Sequence, residues 1–122
     1  MLKRKFEEKL KQWKSTNKVL LVDGSRQVGK TFLIDQFCKE NFENYIYINL
    51  ALNPLSIPAF RQAANIEDFL LVISAFSNKP LIPNKTVIFI DEIQMAEDID
   101  FQTRAKGFAL DGKYRFVFPA PY

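Results

Sequence analysis

The chain has 122 residues, 48% of them hydrophobic and 25% charged, with a formal net charge of +3. That length sets a single domain as the expectation, and that composition excludes a disordered chain. One cysteine and no histidine exclude a disulfide framework within the chain and a His/Cys metal site, while twelve phenylalanines point to an aromatic-rich core.

Residues 2–14 place Leu2, Phe6, Leu10 and Trp13 at spacings of four, four and three, which predicts an amphipathic packing helix with Lys and Glu on its other face. Residues 1–18 carry seven Lys/Arg against two Glu, a local balance of +5 that leaves about −2 for the remainder. This density reads as a solvated face. Nucleic acid stays open as a partner but has no further support in the sequence. The basic N-terminus lacks the apolar stretch of a secretory signal, and no apolar run approaches the ~20 residues of a membrane helix. No membrane partner is expected, and the cytoplasm is the default location.

Val19–Val22 is a continuous apolar run of strand character. It leads into Gly24-Ser25-Arg26-Gln27-Val28-Gly29-Lys30-Thr31, after which Phe32 to Lys39 puts Leu33, Ile34, Phe37 and Cys38 on one helical face. Cys38 reads there as a small core hydrophobe. Tyr45–Leu50 is a second strand, Asn53-Pro54 a loop, and Ile66 to Phe76 a helix with Phe69, Leu70, Ile73 and Phe76 directed inward. After the loop at Pro80–Pro83, Val87–Ile90 is a third strand, ending in Asp91-Glu92. Phe101 to Leu110 is a further helix stopped at Asp111-Gly112, and Tyr114–Phe118 a fourth strand. Continuous rather than alternating apolarity suits strands covered on both faces, and the alternation of helix and strand predicts an α/β layer sandwich with a parallel sheet.

The segment Gly24 to Thr31 matches G-x-x-x-x-G-K-[ST] without a gap, between an apolar strand and an amphipathic helix. Gly24 and Gly29 allow close approach of the backbone to phosphates. The amides of Ser25, Arg26, Gln27 and Val28 can then form an anion nest, completed by the positive end of the following helix. Lys30 is placed to reach the β- and γ-phosphates, and the Thr31 hydroxyl to ligate Mg²⁺. A second anchor for Mg²⁺ is expected at the carboxyl end of a neighbouring strand, where Asp91 stands, with Glu92 beside it as general base toward an attacking water. Asp91 and Glu92 also begin an acidic stretch with Glu97, Asp98 and Asp100, with no basic residue between Thr86 and Thr103.

With these motifs in place, Leu20 to Thr31 resembles the bacterial and archaeal AAA-type ATPases that carry an extra C-terminal domain of poorly known function. Val87-Ile88-Phe89-Ile90-Asp91-Glu92-Ile93-Gln94 is similar to that group's Walker B stretch, and Gly107 to Tyr114 to its helix-to-strand passage. The resemblance implies a P-loop NTPase three-layer sandwich with strand order 1-4-3-2, and ATP or ADP as ligand with Mg²⁺. It also implies a partial nucleotide-binding domain over 1–122, an N-terminal helix in 1–16 and the P-loop core in 17–122. Relative to the family, the polar sensor segment after Tyr114–Phe118 is replaced by Pro119-Ala120-Pro121-Tyr122, and the fifth strand and helical lid are absent from the sequence. The expectation is therefore ATP binding with weakened hydrolysis, and an exposed sheet edge at Val19–Val22 open to pairing or homo-oligomerisation. A non-catalytic nucleotide-binding fragment and a small P-loop kinase are the alternatives.

Overall fold

The computed structural model describes residues 2–16, 19–22, 30–96, 99–110 and 113–119. In chain order these form α1 (Leu2–Lys14), β1 (Leu20–Val22), α2 (Lys30–Asn41), β2 (Asn44–Asn49), α3 (Ser56–Gln62) and α4 (Ile66–Ser77). They continue with β3 (Thr86–Asp91), a 3₁₀ turn (Ile93–Ala96), α5 (Ile99–Ala109) and β4 (Arg115–Pro119). The strands make one four-stranded, all-parallel sheet in the order β1-β4-β3-β2. That is the predicted P-loop NTPase arrangement. β3 is interior, and Thr86 to Ile90 are all buried, as its unbroken apolar sequence requires of a strand covered on both faces.

Strand side chains alternate between two faces. Tyr45, Val87, Phe89 and Val117 pack on one side with Leu10 and Trp13 of α1 and Ile34, Phe37 and Cys38 of α2. Ile46, Ile48, Ile88, Ile90, Phe116 and Phe118 pack on the other with Phe60 of α3, Phe69 and Ile73 of α4, and Ala105 and Ala109 of α5. These are the three layers. Aromatic contacts bind the second face: Phe60 and Phe69 lie 4.9 Å apart between ring centroids, and Phe116 stacks on Phe118 at 5.8 Å.

Local chemistry sets the ends of the helices. Asn65 caps α4 by accepting the Asp68 backbone N–H at 2.8 Å, Glu67 and Asp68 sit at its positive end, and Asn78 closes it in the left-handed region. The helix α3 was not expected from the sequence, in which no element is assigned between Asn53-Pro54 and Ile66. Its proline, Pro58, lies in the first turn, where a missing N–H costs nothing. Within α4, Phe69 and Ile73 are buried as predicted, but Phe76, in the last turn, is 40% exposed. At the opposite margin, β1 pairs only with β4 among the described strands, and Leu21 is half exposed.

Candidate functional site

All four strands run parallel, so their carboxyl ends converge on one edge of the sheet. There β1 ends at Val22, and Lys30 opens α2 with Thr31 exposed behind it. The predicted loop residues Gly24, Ser25, Arg26, Gln27, Val28 and Gly29 fall between these two points and lie outside the described residues. β3 delivers Asp91 to the same edge. Its parity with Phe89 and Val87 puts Asp91 on the face of the sheet that α2 covers. Sheet order and strand parity thus bring the start of α2 and Asp91 to one edge and one face.

Asp91 is held from both sides. Tyr47 of β2 donates its hydroxyl to Asp91 Oδ2 at 2.7 Å, and the Glu92 backbone N–H donates to Asp91 Oδ1 at 2.8 Å. The parallel register sets this up: Tyr47 pairs with Phe89 and Asn49 with Asp91, so Tyr47, Asn49 and Asp91 share a face. The Tyr47 ring stands edge-on to Phe89 with centroids 5.2 Å apart, and Asn49 Nδ2 donates to the Tyr47 hydroxyl at 3.2 Å. Burial first, and the bond to Asp91 second, hold the Tyr47 pKa well above the ordinary tyrosine range, so it stays a donor at physiological pH.

Asn49 also shapes the loop beyond β2. Its Oδ1 accepts the Ala51 N–H at 2.9 Å and the Leu52 N–H at 3.2 Å, an Asx turn that closes the end of the strand. Glu92 follows Asp91 with φ 57°, a left-handed conformation that costs a non-glycine residue on the order of 1 kcal/mol or more. This turn ends the strand and re-aims the Glu92 side chain, whose carboxylate accepts a hydrogen bond from Gln94 Nε2 in the 3₁₀ turn.

The oxygen donors of Asp91 and Thr31 are of the kind a hydrated divalent cation takes. Among the described residues no group of three or more His, Cys, Asp or Glu forms an all-protein cage. Mg²⁺ characteristically takes one or two protein oxygens and completes its octahedron with waters and phosphate. Asp91 and the Thr31 hydroxyl are oxygens of that kind. Tyr47, Asn49 and Gln94 were not among the residues singled out in the sequence. The alternation Tyr45, Tyr47, Asn49 along one strand face was the readable signal, but the register against β3 was not.

Comparison with known proteins bears on the whole of this arrangement. No curated protein matches the chain. No described helix is long and apolar enough to cross a membrane. A family model described as an AAA domain matches residues 16–118, running from the end of α1 through β4. With the all-parallel 1-4-3-2 sheet, the chain thus belongs to the AAA domain family, whose members are nucleotide-binding ATPase-like proteins.

Proposed function

We propose that this chain binds ATP together with Mg²⁺ at the carboxyl edge of its sheet. Gly24 to Gly29 and Lys30 take the phosphates, Thr31 and Asp91 hold the cation, and Glu92 acts as general base toward water. The observation that carries the reading is Asp91. It is a carboxylate at the end of the buried strand β3, on the α2 face, fixed by Tyr47 and the Glu92 N–H. Such fixing matters because a ligand that is already oriented does not lose rotamer freedom when the metal arrives. A bound Mg²⁺ would supply charge neutralisation on the phosphates. The protein's own part is to orient the triphosphate through the loop amides and the α2 terminus, and to receive the proton of water at the Glu92 carboxylate. Gln94 donates to one oxygen of that carboxylate and orients it beside the 3₁₀ turn, and a carboxylate has acceptor sites enough to engage a water as well.

Calorimetric titration with Mg-ATP, followed by phosphate-release assays, tests this. Mg-ATP binding is expected in the native chain and its loss, by tenfold or more, in Lys30→Ala. Glu92→Gln is expected to keep binding and to lower phosphate release about 10²-fold or more. Binding unchanged in Lys30→Ala contradicts the phosphate site, and turnover unchanged in Glu92→Gln contradicts the base.

A further inference from the structure

At the opposite pole, where the strands begin, the structure holds a cavity of about 310 Å³ between the C-terminal ends of α1 and α2 and the turns that enter β3 and β4. Among the described residues four cations line it, Lys14, Lys85, Lys113 and Arg115, against one carboxylate, Glu43. That carboxylate pairs with Lys85 at 3.4 Å and cancels one of the four positive charges, leaving Lys14, Lys113 and Arg115 as the surplus. Arg115 forms a fixed wall. Its Nη1 and Nη2 donate to the Lys14 carbonyl at 2.9 Å and the Trp13 carbonyl at 2.6 Å, and its guanidinium lies 4.7 Å from the Trp13 ring centroid. The Arg115 Nε is buried with no hydrogen-bond partner.

The opposite wall is also built rather than loose. The Asn84 N–H donates to the Lys113 carbonyl at 2.8 Å, tying the turn before β3 to the turn before β4. Asn84 itself is left-handed, with φ 67°. The buried Thr86 hydroxyl anchors the same turn through Ile82, accepting its N–H and donating to its carbonyl, both at 2.9 Å. Compensation of the negative helix ends accounts for Arg115, which caps α1, and for Lys14 in its last turn. It does not account for Lys113, which comes from the turn entering β4, while Lys85 in the turn entering β3 faces Glu43.

We propose that this cavity binds the phosphate group of an anionic ligand at a site separate from the nucleotide edge. Its size suits one phosphate and a small pendant group, and a fixed guanidinium with lysines from both facing turns are the donor types that recognise phosphate. The phosphate can come from a free phosphate ester or from a nucleic-acid strand, whose backbone the exposed cations Lys9 and Lys11 of α1 would also meet.

Amide NMR on the full chain in EDTA tests the site, first with inorganic phosphate and then with a single-stranded oligonucleotide. Saturable shifts are expected at Asn84, Lys85, Lys113 and Arg115. The affinity should fall at least about tenfold in the Lys85→Gln/Lys113→Gln double variant and be unchanged in Lys30→Ala. Displacement of phosphate by the oligonucleotide, with a steep salt dependence, supports the proposal and assigns the source to nucleic acid. Saturable phosphate binding without displacement supports it and assigns a free ester. Linear, non-saturating shifts, or equal binding by the double variant, overturn it. Because Lys30→Ala reports only on the nucleotide edge, the two sites can fail separately.

Discussion

At the scale of single residues, the candidate site is a set of side chains held by their neighbours before any ligand arrives. Tyr47 shows the effect most directly, since its hydroxyl is within 2.7 Å of Asp91 Oδ2. Tyr47→Phe removes that donor while keeping the ring against Phe89. It is expected to weaken Mg²⁺-dependent nucleotide binding about 3- to 10-fold with little change in folding stability, which titrations at varied Mg²⁺ and a urea melt would measure in parallel. Cys38 offers a pH signature. It is fully buried, and burial first, then the nearby Asp35 carboxylate, push its thiol up to about 12. The folded state therefore keeps the proton more tightly than the unfolded one. This contribution to stability is complete below the ordinary thiol value of 9.0 and declines as pH rises from there toward 12, at up to about 1.4 kcal/mol per pH unit. Urea melts stepped between pH 9 and 10 should show that decline, and Cys38→Ala should flatten it there; above pH 10, Tyr45 and Tyr47, whose hydroxyls are also held above their ordinary value, add a loss that the variant keeps.

At the scale of elements, caps and register decide what the site can be. The Asn65 cap is expected to contribute about 1 kcal/mol, so Asn65→Ala should lower the unfolding free energy from urea melts by that amount without altering nucleotide affinity, because α4 lies away from the α2 face. Much of this architecture was legible in the sequence. The apolar runs at Tyr45–Leu50 and Val87–Ile90 are strands, and Phe37 and Cys38 face inward, because burial on both faces of a parallel sheet leaves a continuous apolar signature. The helix α3 was not legible, because Pro58 mimics a break when its position within the first turn is unknown. Nor was the hydrogen bond from Tyr47 to Asp91, since it depends on the pairing of Asn49 with Asp91, a long-range register that no local pattern encodes.

At the scale of the whole molecule, the parallel sheet separates two poles of different chemistry. Its carboxyl edge carries Asp91, Glu92 and the start of α2, and its amino edge carries the cavity walled by Arg115, Lys85 and Lys113. The interior between them is two apolar layers on either side of β3, which fix the distance and orientation of each pole against the other. The central claim is that nucleotide and metal meet at the carboxyl edge, and paramagnetic NMR with Mn-ATP in place of Mg-ATP tests it most directly. The account predicts strong broadening of the Thr31, Tyr47, Asn49 and Asp91 resonances, lost in Lys30→Ala, with Asn84 and Lys113 spared. Broadening centred on any other part of the chain, or none at Asp91 and Thr31 while Mn-ATP is demonstrably bound, would contradict it.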